Sequence, residues 1–169
     1  MEIQTQHEAG HCPICNGSHR HEPHWEAERI IVAEDDTSIA NLIAYNLEQE
    51  GYRVTLAADG MEALRQLRKT PPDLLVLDLL LPLQSGWQVM REIRSHEGTR
   101  LAALPVLIVS ALACKRLERD LAQIGAQRLL GKPFSVKELC AVVRELIDEK
   151  THEPLAVGTR RPSSRRATS

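Results

Sequence analysis

Residues 74–82 read LLVLDLLLP. One aspartate, Asp78, interrupts a run that otherwise has the make-up of a buried parallel strand. A carboxylate taken out of water is expensive unless it is paired or holds a metal. Either the strand ends at Asp78, with the carboxylate on a rim, or a charge sits in a core. The neighbouring segments decide for the rim.

Working outward, four further stretches read as strands beside DLLVLD (73–78): RIIVA (29–33), YRVTLA (52–57), PVLIVS (105–110) and AQRLLG (126–131). Helical spacing fills the intervals. Ile39, Leu42, Ile43 and Leu47 recur within 37–50, and Met61, Leu64 and Leu67 within 60–69. Trp87, Met90 and Ile93 follow Gly86, and Leu117, Leu121 and Ile124 mark a fourth helix. Leu139, Val142, Val143, Leu146 and Ile147 form one stripe, opened by SVKE, a capping-box pattern with Ser135 as N-cap and Glu138 at N3. Asp36 suits the N-cap of the first helix. Strands alternating with helices predict an α/β domain, a five-stranded parallel sheet with helices on both faces.

The chain divides into a head of residues 1–28, a domain of 29–150 and a tail of 151–169. With 169 residues, 43% of them apolar, there is enough for one core. A net charge of −2 and 3% aromatic residues argue against a nucleic-acid surface or base-stacking platform. No apolar run has the roughly 18 residues of a membrane span, and the polar start lacks a signal-peptide core. A cytoplasmic protein is expected. Four cysteines are too few and too unevenly spread for a disulfide framework, and Cys114 and Cys140 are expected as buried thiols.

In open parallel sheets the working crevice lies beyond the carboxyl ends of the strands. There the chain places Glu34, Asp35 and Asp36 after the first strand, Asp78 at the end of the third, Ser110 at the end of the fourth and Lys132 after the fifth. Two carboxylates about 4 Å apart repel by roughly 4 kcal/mol at an effective dielectric near 20. Such a site calls for a cation, and clustered oxygens with open positions suit Mg²⁺. A phosphoryl group on Asp78 would bring further negative oxygens. Mg²⁺ and Lys132 would neutralise them, and Ser110 could donate a hydrogen bond. Asp78 then reads as a carboxylate nucleophile.

The ordered set IIVAEDD (30–36), LLVLDLLLPLQSG (74–86), VLIVSA (106–111) and GKPF (131–134) resembles the receiver domain of bacterial two-component response regulators. The resemblance spans about 29–150 and implies a doubly wound, flavodoxin-like (βα)5 fold. It implies that Asp78 is the phosphoacceptor and that Asp35 binds Mg²⁺ directly, with Glu34 acting through water. Leu80 would offer its backbone carbonyl to the metal, Ser110 the switch hydroxyl and Lys132 the phosphate-binding ammonium. It further implies a cis Lys132–Pro133 bond and a turn at Pro82 and Gly86 into the third helix. Leu129 departs from the pattern, standing where many receivers carry a rotating aromatic. So do Leu80 and Leu112, where polar residues often position an attacking water.

The flanks carry separate signals. Within HEAGHCPICNGSHRHEPHW (7–25), Cys12 and Cys15 form a CxxC, closely followed by His19, His21 and His24. Cys12, Cys15, His19 and His21 are candidate Zn²⁺ ligands, although the usual finger spacing is absent. The tail GTRRPSSRRATS has four arginines and no acid, and its composition predicts disorder. No output domain is recognisable. The expectation is a stand-alone, non-enzymatic receiver phosphorylated by a sensor histidine kinase or phosphotransfer protein. A downstream protein would be the partner, with neither membrane nor clear nucleic-acid binding. The rival readings are a receiver-like binding module that is never phosphorylated, and an aspartate-nucleophile phosphohydrolase. Leu80 disfavours the latter because it occupies the usual place of the second aspartate.

Overall fold

The computed structural model describes residues 27–96, 98–112 and 114–152. Ten elements alternate in chain order: β1 (Arg29–Ala33), α1 (Thr37–Gln49), β2 (Arg53–Ala57), α2 (Gly60–Lys69), β3 (Leu74–Asp78), α3 (Gly86–Ser95), β4 (Val106–Ser110), α4 (Lys115–Gln123), β5 (Arg128–Gly131) and α5 (Val136–His152). All strands pair in parallel, in the order β2-β1-β3-β4-β5. The expected doubly wound fold is thus the observed one. The strands β2 to β5 start one or two residues later than their sequence patterns suggested.

The near-continuous apolar strands follow from a sheet covered on both faces. Ile30, Val32, Leu74, Val76, Leu107 and Val109 face α1 and α5, in one core with Ile43, Leu47, Leu139 and Val143. Ile31, Ala33, Leu75, Leu77, Val106 and Ile108 face α2, α3 and α4, in a second core with Leu67, Met90, Ile93 and Leu121. No helix among the described residues is long and apolar enough to cross a membrane.

Caps set where the helices begin. Asp36 accepts from the backbone N–H of Ser38 and Ile39, as expected of an N-cap for α1. Ser135 Oγ accepts from Glu138 N at 3.1 Å before α5. The complete reciprocal capping box, however, is at α3, between Ser85 and Gln88. SGWQ (85–88) carried that signal unread.

One burial expectation is corrected. Cys140 is buried, but Cys114 is exposed and caps α4, its sulfur accepting from Leu117 N. The loop after β4 ends at Cys114, so its side chain belongs to a helix start, not to a packed stripe. Met61 and Leu42 are also exposed. They share the helical spacing of their buried neighbours, but Ala63 fills the core side of α2 beside Leu64 and Leu67, and Ala40 and Ala44 do so in α1.

Candidate functional site

β1 and β3 are neighbours whose helices lie on opposite faces, so a crevice opens beyond their carboxyl ends. Register brings the acids together there. Ala33 pairs with Leu77, so the next residues, Glu34 and Asp78, leave the sheet side by side. Glu34 keeps the parity of Ile30 and Val32, Asp78 that of Leu74 and Val76, and Lys132 that of Leu130, all on the α1/α5 face. Strand alternation therefore aims the three side chains at one point.

Lys132 Nζ lies 2.9 and 2.7 Å from the two oxygens of Glu34 and 2.5 Å from Asp78 Oδ2. Asp78 Oδ1 accepts from Leu80 N at 2.9 Å. Glu34 is 4% exposed and Asp78 5%. Asp35 is exposed and completes a group of three carboxylates whose possible ligand atoms lie within 4.8 Å of one another. Asp36 is not part of that group; its carboxylate serves the helix cap.

Burial pushes the Glu34 carboxyl up, and the negative charge of Asp78 adds to this. The Lys132 hydrogen bonds and charge pull it back only in part. For Lys132 burial acts downward, but the hydrogen bonds and charges of Asp78 and Glu34 outweigh it and raise the ammonium. One ammonium thus faces three acids. With all four groups ionised two negative charges are uncompensated, which matches a divalent cation. Oxygen donors with an exposed side are the chemistry Mg²⁺ takes.

Ser110 is fully buried at the end of β4, and its Oγ accepts from Leu112 N at 3.2 Å. It pairs in register with Gly131, and Lys132 N donates to Ser110 O, which ties the lysine to the serine's strand. The Lys132–Pro133 bond is cis, as the family likeness implied. Leu129 is half-buried and packs into the α2/α3/α4 core. Leu80 and Leu112 are each 57% exposed.

Gly86 has a role that residue spacing did not explain. A Cβ there would stand 2.3 Å from Asp78 O, while Gly86 N donates to Leu79 O at 3.0 Å. Only glycine lets the start of α3 fold back onto the strand end that carries Asp78. The candidate zinc ligands Cys12, Cys15, His19 and His21 lie outside the described residues, as does the tail beyond His152.

Comparison with known proteins agrees with this geometry. Residues 30–144 match the family model described as the response regulator receiver domain. The chain is similar to the DNA-binding dual master transcriptional regulator RpaA of Synechocystis, at 38% identity over 76% of this chain and 52% of that protein. It thus spans about half the length of the curated relatives it matches. Among solved structures it is similar to the Francisella response regulator 1452 receiver domain, with 31% identity and a TM-score of 0.68. That match covers 73% of this chain and 98% of the other. It is also similar to the receiver domain of the sensor histidine kinase PA1611 from Pseudomonas aeruginosa, a structure with magnesium coordinated in the active-site cleft. There the identity is 31%, the TM-score 0.65, and the coverage 73% and 99%.

Proposed function

This chain belongs to the response-regulator receiver family, and we propose that Asp78 accepts a phosphoryl group from a phosphohistidine on a sensor histidine kinase or phosphotransfer protein. The observation that carries the reading is the buried Asp78 carboxylate, oriented by Leu80 N on one oxygen and Lys132 on the other, in a cluster with excess negative charge. An Asp78 oxygen would attack phosphorus as the bond to the donor's imidazole nitrogen breaks. The imidazole keeps the electron pair. Lys132 would neutralise the phosphoryl oxygens, and the Ser110 hydroxyl could donate to one of them.

Glu34, Asp35 and Asp78 fit Mg²⁺; Asp35 would be the direct ligand, Glu34 would act through water, and the Leu80 carbonyl would offer a further oxygen. When bound, the ion supplies positive charge against the transferred oxygens. Phosphorylation would shift the receiver between two states with different partner affinities. Leu129 stands in the switch position, so the aromatic rotation of many receivers has no counterpart here; altered binding through α4, β5 and α5 would be the output.

Incubation with acetyl phosphate and Mg²⁺, read by intact mass, tests the assignment. One phosphoryl group should add to the wild type and none to Asp78→Asn. Equal labelling of the variant would refute the assignment. The head is proposed to take up Zn²⁺ through Cys12, Cys15, His19 and His21, because thiolates two residues apart share one metal readily. Metal analysis of tag-free protein beside Cys12→Ser/Cys15→Ser should find zinc in the first alone. Equal zinc in both, or none in either, would exclude the site.

A further inference from the structure

Among the described residues two buried side-chain oxygens have no hydrogen-bond partner, Gln66 Oε1 and Gln84 Oε1. The Gln66 amide has a fixed orientation, since its Nε2 donates to Leu56 O at 2.9 Å and to Glu62 Oε1 at 3.1 Å. The free end is therefore an acceptor, and a buried acceptor left unmet costs stability. Gln66 lines a cavity of about 310 Å³ between α2 and the edge strand β2. Arg29 and Ile31 of β1, Thr55 of β2, and Arg65 and Lys69 of α2 share its wall. Arg29 opens β1 and Lys69 closes α2, so the cavity lies toward the amino-terminal rim of the sheet. At the small end of the roughly 300–1,000 Å³ of ligand cavities, it has room for one bulky side chain.

The wall carries three cations and no acid. Arg29 donates to the carbonyl of Pro71, a neutral group, and Arg65 to Glu62 at 3.2 Å in an exposed pair. Glu62 also accepts from Ala58 N and from Gln66, so its charge is shared. Lys69 has no partner among the described residues. The cavity calls for a hydrogen-bond donor on an apolar body, with negative charge close by. The head supplies all three beside the opening. Residues 1–28 hold five glutamates against one arginine, and WEAE (25–28) puts Trp25 next to Glu26. Trp25 lies outside the described residues, four positions before Arg29, a span of at most about 14 Å. Positions 25, 27, 29 and 31 share parity, and Arg29 and Ile31 line the cavity. A chain leaving β1 extended therefore carries Trp25 out on that side.

We propose that the head latches onto its own domain by seating Trp25 in this cavity, the indole N–H donating to Gln66 Oε1 and the ring lying against the cations of Arg65 and Lys69. The match holds point by point. An indole N–H donates and cannot accept, so it meets the orphaned oxygen without competition. Indole is also the aromatic ring that attracts a cation over its face most strongly. Glutamates beside Trp25 are drawn to the same cations, a contact that salt weakens. The cavity lies at the end of the sheet away from Asp78, so the latch stands independently of the phosphoacceptor reading. It makes the start of the chain part of the domain surface at the amino-terminal rim.

Nuclear magnetic resonance of the full chain tests the latch with a variant outside the domain core. Trp25→Ala should shift the backbone amide signals of Ile31, Thr55 and Gln66 through the lost ring current, and leave those of Asp78 and Lys132 in place. Fluorescence gives a second reading in a Trp87→Phe background, where Trp25 is the remaining tryptophan. Acrylamide should quench Trp25 weakly there. Arg65→Glu/Lys69→Glu changes two exposed side chains. It should lower the ratio of seated to free Trp25 roughly tenfold, the weight of an aromatic–cation contact with its hydrogen bond. Quenching should then approach that of Trp25 in urea. Unmoved amides in Trp25→Ala, or equal quenching in the charge-reversed protein, would overturn the latch. So would amide shifts that grow with protein concentration, which would seat Trp25 in a second copy. Inorganic phosphate shifting the same amides equally in the wild type and Trp25→Ala would also overturn it, and would make the cavity an anion site.

Discussion

Asp73 and Asp78 stand at the two ends of one strand, each with a lysine on its carboxylate, Lys150 at 2.9 Å from the first and Lys132 at 2.5 Å from the second. The surroundings then diverge. Asp73 is a single acid among donors: it accepts from Arg29 N at 2.9 Å, from Arg100 at 2.9 Å and from Lys150. Asp78 shares its one cation with Glu34, and Asp35 is close by. Burial would raise the Asp73 carboxyl, but its hydrogen bonds and the cations of Lys150 and Arg100 hold it below the usual carboxylate value. Glu34, at the other rim, is raised. One rim is satisfied and pins α5 and the loop before β4 to the start of β3. The other is short of positive charge and calls for a ligand. A buried acid–lysine pair says little about role until the remaining charges around it are counted.

Losing the cation separates the rims most. Lys132→Met leaves three acids facing one another and should cost about 3 kcal/mol in Mg²⁺-free urea unfolding, as breaking a buried pair does. Lys150→Met leaves Asp73 its other donors and should cost about 1 kcal/mol or less. If the two variants lose equal stability, the contrast is wrong.

Metal binding sharpens the comparison within the carboxyl rim. Asp35→Ala should weaken Mg²⁺ binding about tenfold or more, equivalent to some 1.4 kcal/mol. Asp36→Ala should leave Mg²⁺ binding unchanged and cost about 1 kcal/mol of stability through the lost cap. A titration with the reverse pattern would reassign the ligand.

The two rims should also respond to pH with opposite sign. Asp73 has a depressed pKa, so its contribution is complete above the unfolded value near 4 and disappears as pH falls through the lower folded value. Asp73→Asn should cost about 1 kcal/mol at pH 7 and little at the acid end. Glu34 has a raised pKa, so its contribution is greatest below its unfolded value and falls as pH rises through the folded one. Relative to Glu34→Gln, the Mg²⁺-free wild type should therefore lose stability as pH rises above about 4. Parallel curves for the two pairs would remove this distinction.

The smallest effect concerns the lifetime of the phosphorylated form. Leu80 and Leu112 offer no side-chain hydrogen bond to an incoming water. Leu80→Asn with Leu112→Glu should speed hydrolysis severalfold by positioning that water. An unchanged lifetime would mean that the leucines do not limit it.

How much was legible depended on whether the signal was local. The position of acids, a hydroxyl and an ammonium at or just after the ends of strands marked Glu34, Asp78, Ser110 and Lys132, because short apolar runs show where each strand stops. Helical spacing was a weaker guide to burial, since Met61 and Leu42 share it and are exposed. Period 3.6 leaves the edges of a stripe ambiguous, and small alanines can occupy its centre. Cys114 was misread because a helix start and a helix interior look alike until the preceding loop is known.

The sequence by itself determined the α/β alternation, the chemistry available at the carboxyl rim and the family likeness. Each is written in short runs whose spacing the backbone enforces. Tertiary structure alone decided the rest. Asp73 meets Arg100 and Lys150 across 27 and 77 residues, and no local pattern marks those partners. Leu83 took a positive φ because the neighbouring loop bonds and the approach of Gly86 to Asp78 left the chain that path. Separations of this kind close only when the sheet forms. Which charges are satisfied and which remain in excess is therefore a property of the folded chain.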